Sequence, residues 1–192
     1  MTQGLNRSIP AAYRQIEEET RKMGFSMGSD SQTCSLLRTL AASKPAGKFL
    51  ELGTGTGLST AWILDGMDAD SSLISVDNEA DFLGVAKRFL AQDKRLSLVN
   101  SEGGEWIEKN KSQKFDYIFA DTWPGKYLLL DEVLTMLNPG GFYIIDDMIP
   151  QPNWPEGHQA KARHLLETIE TRTDLITTRL MWATGLVIGI KS

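Results

Sequence analysis

A single cysteine, Cys34, stands among 192 residues. It excludes an intramolecular disulfide and any metal site built on a cysteine cluster. Lying in an apolar helical stretch, it reads as a small core side chain. Histidine is nearly as scarce, with only His158 and His164. No apolar run approaches the roughly 20 residues of a membrane-spanning helix. Met1 to Pro10 lacks the hydrophobic centre of a secretion signal, so a cytoplasmic protein without membrane contact is expected. Positive charge is in deficit too. A net charge of −5 leaves no basic footprint for nucleic acid. The remaining composition is that of a globular chain long enough for a sizeable core.

The most informative stretch is Glu51-Leu52-Gly53-Thr54-Gly55-Thr56-Gly57-Leu58-Ser59-Thr60. An apolar run, Lys48-Phe49-Leu50, precedes it, and helix-like Ala61-Trp62-Ile63-Leu64 follows. A strand, a glycine turn and a helix start is how an open α/β sheet holds a nucleotide-bearing ligand. A dinucleotide fingerprint would need a third glycine where Leu58 stands, so the G-x-G-x-G pattern favours a mononucleoside-type ligand.

The rest of the chain fits around that turn. A loose arm over residues 1–9 leads to a helix over Ala11 to Met23, ended by Gly24. A loop, Phe25 to Asp30, precedes a second helix over Ser31 to Ala42. From Lys48, strands and helices alternate, with strands near 48–52, 72–77, 96–99, 115–121 and 142–147. A helix is expected over Lys126 to Leu137, closed by Asn138-Pro139-Gly140. Met148 to Gly157 carries three prolines and fits no regular element; such loops often cover a site. After a helix over His158 to Thr171, two runs, Leu175 to Leu180 and Gly185 to Ile190, are joined closely enough to require antiparallel pairing. The expected fold is an α/β, Rossmann-like, seven-stranded, mostly parallel sheet with an antiparallel C-terminal hairpin and helices on both faces. Residues 1–44 read as a helical extension, a cap and a possible dimer contact; residues 45–192 read as the ligand-binding domain.

Polar clusters gather at the strand C-termini, where such sheets bind ligands. Asp77 ends the second strand and can accept both hydrogens of a ribose diol; the competing role is a helix cap. Asp121, Asp146 and Asp147 end the fourth and fifth strands. Three carboxylates there repel one another unless protonated or bridged by a hard cation such as Mg²⁺. Trp123 could cover an adenine ring or lie in the core. Trp106 reads as packing or as pocket wall, and Trp62 and Trp182 as core. His158, near the cleft mouth, is a candidate general base, whereas His164 reads as structural.

Taken in order, Phe49-Leu50-Glu51-Leu52-Gly53, Ile74-x-Val76-Asp77, Phe115-Asp116-Tyr117-Ile118-Phe119-x-Asp121-x-Trp123, Leu137-x-Pro139-Gly140-Gly141, Asp146-Asp147 and Thr184-Gly185-Leu186 resemble a known family. It is the class I S-adenosylmethionine-dependent methyltransferases, and within them the small catechol and caffeoyl-CoA O-methyltransferases. The resemblance implies methyl transfer from S-adenosylmethionine, with S-adenosylhomocysteine as product, to a hydroxyl of a small acceptor. It implies that Glu51, Gly53, Thr54, Gly55, Gly57 and Ser59 hold the methionine part with Met27 nearby. Asp77 and Asn78 take the ribose, Glu102 and Gly103 line the adenine, and Trp123 lies against its ring. Asp121 adjoins the cofactor and, with Asp146 and Asp147, matches the family's metal positions. Related small enzymes are often dimers. Two residues depart from the pattern. Asp147 stands where the family has asparagine, and Pro124 stands where catechol-type members carry their catalytic lysine. Lys126, two positions on, or His158 is then the expected base. A nicotinamide-dependent oxidoreductase and a catalytically silent cofactor-binding protein are the alternatives.

Overall fold

A computed structural model describes residues 9–152 and 154–192. The expected N-terminal arm therefore lies, but for Ile9, outside the described residues. In chain order the elements are α1 (Tyr13–Lys22), α2 (Ser31–Ala41), β1 (Lys48–Leu52), α3 (Leu58–Gly66), β2 (Ser72–Asp77), α4 (Ala80–Leu90) and β3 (Leu96–Asn100). They continue with α5 (Gly103–Asn110), β4 (Phe115–Ala120), α6 (Leu130–Met136), β5 (Leu137–Ile145), α7 (His158–Glu170), β6 (Leu175–Leu180) and β7 (Leu186–Lys191).

Among the described residues the strands form one sheet in the order β3-β2-β1-β4-β5-β7-β6. The pairs among β1 to β5 are parallel, and β7 runs antiparallel to both β5 and β6. This is the expected architecture, hairpin included. The order reverses beside β1, between β2 and β4, and ligands bind outside the strand C-termini at such a switch point.

Alternation along the central strands divides the core. Phe49, Tyr117, Phe119 and Ile144 face a cluster built with α1, α2 and α3. Leu50, Leu52, Ile118, Tyr143 and Ile145 face a second cluster containing Trp106 and α6 and α7 residues. Tyr13, Ile16, Cys34 and Leu37 belong to the first cluster, so the N-terminal helices share one core with the sheet. α3 is buried from Leu58 through Leu64 because α2 covers the side turned away from the sheet. That explains why it is apolar all round rather than striped.

Three local expectations are corrected. The helix after the fourth strand begins only at Leu130, because the Trp123 carbonyl accepts N–H groups from Lys126, Tyr127 and Leu128 and winds that segment into a turn. The fifth strand starts at Leu137, across a register shift against β4, and absorbs the expected Asn138-Pro139-Gly140 stop. Trp182 is not core: it lies in the β6–β7 connection, off any sheet face, and is 47% exposed.

Candidate active site at the strand ends

The glycine turn is fastened from below. Glu51, on the α3 face of β1, is fully buried. Its carboxylate accepts hydroxyls from Ser59 (2.6 Å), Thr60 (2.6 Å) and Ser75 (2.5 Å). Burial pushes its pKa up to about 7 against the pull of these three bonds. Glu51 thus ties the first turn of α3 to β1 and β2 from beneath the cleft. Gly53, at φ +105°, passes so close to the Asp121 backbone and the Thr122 methyl that a Cβ would come within 2.8 Å. Gly57 (φ +95°) does not reach the cleft; it packs on Ala86 of α4.

Asp77 is held by the turn itself. Its Oδ2 accepts the Gly55 amide at 2.7 Å and its Oδ1 accepts the Glu79 amide at 2.9 Å. Asp77 is thus not the cap of α4, whose N-cap is Glu79, and it keeps a free lone pair on each oxygen. The cleft above has a volume of about 530 Å³ and is lined by the Phe25–Ser29 loop, the glycine turn, the β2, β4 and β5 ends and the 151–158 loop. Phe25 stacks on Phe82 of α4, ring centroids 4.4 Å apart, making an apolar wall beside Asp77. Ser29 donates to Asp121 Oδ2 at 3.1 Å and joins the N-terminal loop to the β4 end.

A buried lysine lies between the β4 and β5 ends. Lys126 is buried, with its Nζ 3.0 Å from the Asp146 main-chain oxygen and 3.6 Å from Asp121 Oδ1. Asp146 Oδ1 accepts from the Thr184 hydroxyl and from the Asp147 amide. Asp147 has φ +61°, a left-handed conformation that asparagine and aspartate tolerate better than most residues. Backbone geometry alone thus favours either residue type there. Burial pushes the Asp121 carboxyl up; Lys126 pulls against it, and Asp146 and Asp147 add to the rise. Burial also raises Asp146, opposed first by the Thr184 hydrogen bond. Among the described residues no three acidic, histidine or cysteine side chains could hold a metal ion. The Lys126 ammonium lies next to two of the residues expected to hold a divalent cation, and Asp121 Oδ1 has no hydrogen-bond partner among the described residues.

At the far end the cleft is aromatic. Tyr127 Oη lies 3.2 Å from His158 Nε2. Trp154 stacks at 4.5 Å from the His158 ring, and Trp123 stands edge-on to Tyr127. The outer face of Trp123 is covered by the Lys161 ammonium, 3.9 Å from the ring centre. His158 Nδ1 is buried without a hydrogen-bond partner among the described residues. Burial lowers the His158 pKa, Lys126 adding to the effect, so the ring is neutral at pH 7. Tyr127 is pushed up to about 12 by burial and by Asp147, so it remains a phenol.

The sequence pattern of a family described as a methyltransferase domain matches residues 50–148. The chain belongs to this methyltransferase family. Its fold is shared with an O-methyltransferase from Bacillus cereus in complex with SAH (TM-score 0.84, 14% identity, covering 98% of this chain and 94% of that one). TomG from Streptomyces achromogenes, an O-methyltransferase involved in tomaymycin synthesis and in complex with SAM, aligns equally well (TM-score 0.84, 19% identity, 96% and 91% covered). A relative from Mycobacterium avium (strain 104), named "Putative O-methyltransferase", is 28% identical over 133 residues, which is 65% of this chain and 59% of the relative. The chain thus spans about three fifths of the length of the curated relatives it matches.

Of the residues the methyltransferase resemblance pointed to, Met27, Gly53, Thr54, Gly55, Ser59, Asp77, Asn78, Asp121, Trp123, Lys126, Asp146, Asp147 and His158 line one cleft. Glu51 and Gly57 lie beneath it. Glu102 and Gly103 are not among the residues lining it: Glu102 caps α5 through the Glu105 amide, and Gly103 lies under the Pro124 ring. Pro124, where a lysine was expected, therefore packs rather than reacts. Sequence reasoning missed Phe25, Phe82, Tyr127, Trp154 and Thr184. Phe82 was visible only as a member of an apolar helix stripe. Tyr127, next to the singled-out Lys126, carried a signal in its place after the Trp-Pro-Gly turn.

Proposed function

We propose that this methyltransferase transfers a methyl group from S-adenosylmethionine to a hydroxyl of a small aromatic acceptor. One observation carries the reading: Asp77, at the switch point, is clamped between the Gly55 and Glu79 amides and keeps a lone pair on each oxygen for a ribose diol. The close approach at Gly53 and the Phe25–Phe82 wall fit a nucleoside beside it. Gly55, Thr54 and Ser59 line the same cleft, which supports giving them the methionine part. When bound, the sulfonium supplies an activated methyl group and its own leaving group. The chain's residues supply alignment and proton handling.

A planar acceptor suits the ring-lined end formed by Trp123, Tyr127, Trp154 and His158. A phenolic hydroxyl, with a pKa of about 10, must lose its proton for transfer at neutral pH. In the tautomer whose Nε2–H donates to the Tyr127 oxygen, the unpartnered Nδ1 of neutral His158 carries the lone pair and is the proton acceptor. The divalent cation implied by the resemblance is not part of this reading, since Lys126 lies among the residues that would hold it.

Titration calorimetry with S-adenosylhomocysteine should give saturable heat at one site per chain, and NAD should give none. No heat with the methionine product would overturn the cofactor assignment. Across a panel of catechols and hydroxybenzoates, His158→Gln should lower turnover by about 100-fold or more while leaving S-adenosylhomocysteine affinity unchanged. Equal turnover by the variant would remove His158 as the base. A panel without product, despite cofactor binding, would favour a silent binding protein.

A further inference from the structure

We propose that Lys126 is a built-in cation that takes the place of a divalent metal between the C-terminal ends of β4 and β5. The inference concerns the cleft assigned above and rests on that assignment for its role in catalysis. Its first support is position. The ammonium is buried between Asp121 Oδ1 and the Asp146 main-chain oxygen, two hard oxygen donors of the kind a Mg²⁺ or Mn²⁺ ion would take. A lysine ammonium has donors only, so it cannot join a metal's ligand shell, and its charge repels a second cation.

The second support is how the chain delivers it. Trp123-Pro124-Gly125-Lys126 is a type II turn: proline at the second position, glycine at φ +88° at the third, and the Lys126 amide bonded to the Trp123 carbonyl at 3.1 Å. A Cβ on Gly125 would come within 2.7 Å of Leu52 Cδ1, so only glycine lets this backbone lie on β1. The Tyr143 hydroxyl pins the Gly125 carbonyl from below. Pro124 and Lys126 are therefore one device. The proline that removes the family's lysine sets the turn, and the turn carries a different lysine inward beneath the acceptor end.

Lys126 so placed holds the β4 and β5 ends together. It also offsets acidic charge that would otherwise repel a phenolate. The ammonium has three donors and makes one protein hydrogen bond at 3.0 Å, which leaves donor capacity for an acceptor oxygen in the cleft. Methyl transfer by this enzyme then requires no metal.

The test uses the full chain after dialysis against chelator, with Mn²⁺ as probe, read by electron paramagnetic resonance and by thermal shift. The wild type should bind no Mn²⁺ in the cleft, and its melting temperature and S-adenosylhomocysteine affinity should survive chelation. Lys126→Met, which vacates the oxygen pair, should bind one Mn²⁺ per chain and be stabilised by it. Lys126→Arg, which keeps the charge, should still exclude the ion. If Lys126→Met does not fold, Lys126→Gln serves in its place. Stoichiometric Mn²⁺ binding by the wild type, or no gain in the uncharged variant, would overturn the proposal. S-adenosylhomocysteine calorimetry on the same samples separates this outcome from failure of the cofactor reading, because Mn²⁺ binding is scored without the cofactor.

Discussion

Asp77→Ala is expected to weaken S-adenosylhomocysteine binding on the order of 100-fold or more. A carboxylate that accepts both hydroxyls of a ribose makes two charge-assisted hydrogen bonds, and losing them together costs about 3 kcal/mol or more. At about 1.4 kcal/mol per decade, that is two powers of ten in affinity. The structure adds a second loss. The Gly55 and Glu79 amides both donate to Asp77, so alanine also removes one of the ties between the glycine turn and the β2 end, the Gly53 and Thr54 amides still donating to the Val76 carbonyl. Asp77→Asn keeps one carbonyl acceptor and should fall between wild type and alanine. Calorimetry measures the affinity, and urea denaturation of the same samples separates it from stability. Both amides lie near the surface, where water can replace the carboxylate, so unfolding free energy should drop by only about 1 kcal/mol. An alanine variant that binds as tightly as wild type would take the ribose role away from Asp77.

The sheet was legible because parallel strands buried on both faces read as unbroken apolar runs between turn residues. Tyr117 to Ala120, buried throughout, shows this. The strand ends were legible because a parallel α/β sheet concentrates polar residues there for a topological reason. Lys126 shows where that legibility stops. Its position relative to the aspartates depends on a turn whose direction follows from one positive φ at Gly125 and from a close approach to Leu52, neither of which is a periodic signal. Carboxylates clustered in sequence suggest a metal, whereas the folded chain also brings a buried ammonium to 3.6 Å from Asp121, and only three-dimensional placement reveals it. Trp182 failed for a similar reason. Hydrophobicity places a tryptophan inside on average, whereas its place in the β6–β7 connection puts it outside. Glu102 and Gly103 sit at the expected strand end, where the Pro124 ring lies over Gly103 and Glu102 caps α5.

Glu51 supplies the strongest expected pH effect on stability. Its pKa is raised from the ordinary value of 4.5 to about 7 by burial, so the folded chain holds a proton that the unfolded chain has released between those values. The sign follows from linkage. Below about pH 4.5 both states are protonated and the neutral carboxyl is buried at no charge penalty. As pH rises towards 7, folding must retain a proton, and the contribution is lost. Above about 7 the ionised group is buried and the loss levels off. At about 1.4 kcal/mol per pKa unit, the loss amounts to about 3 kcal/mol between pH 5 and pH 8. Asp121 and Asp146, also raised, change stability in the same direction, so the wild type alone does not isolate Glu51. Glu51→Gln does. It mimics the protonated acid, and the Ser75 hydroxyl, already paired with Thr54 at 2.6 Å, can turn from donor to acceptor. Urea midpoints measured from pH 5 to pH 8 should fall more steeply in the wild type than in this variant, and the two should differ most at the alkaline end. Parallel curves would show that Glu51 is ionised throughout and that its three hydroxyl partners outweigh burial. Glu51→Ala should instead be less stable at every pH, by about 3 kcal/mol, because it leaves buried hydroxyls without their acceptor and a void under the glycine turn. The residue that fixes the turn is thus separable by experiment from Asp77, whose loss should appear mainly in the ligand.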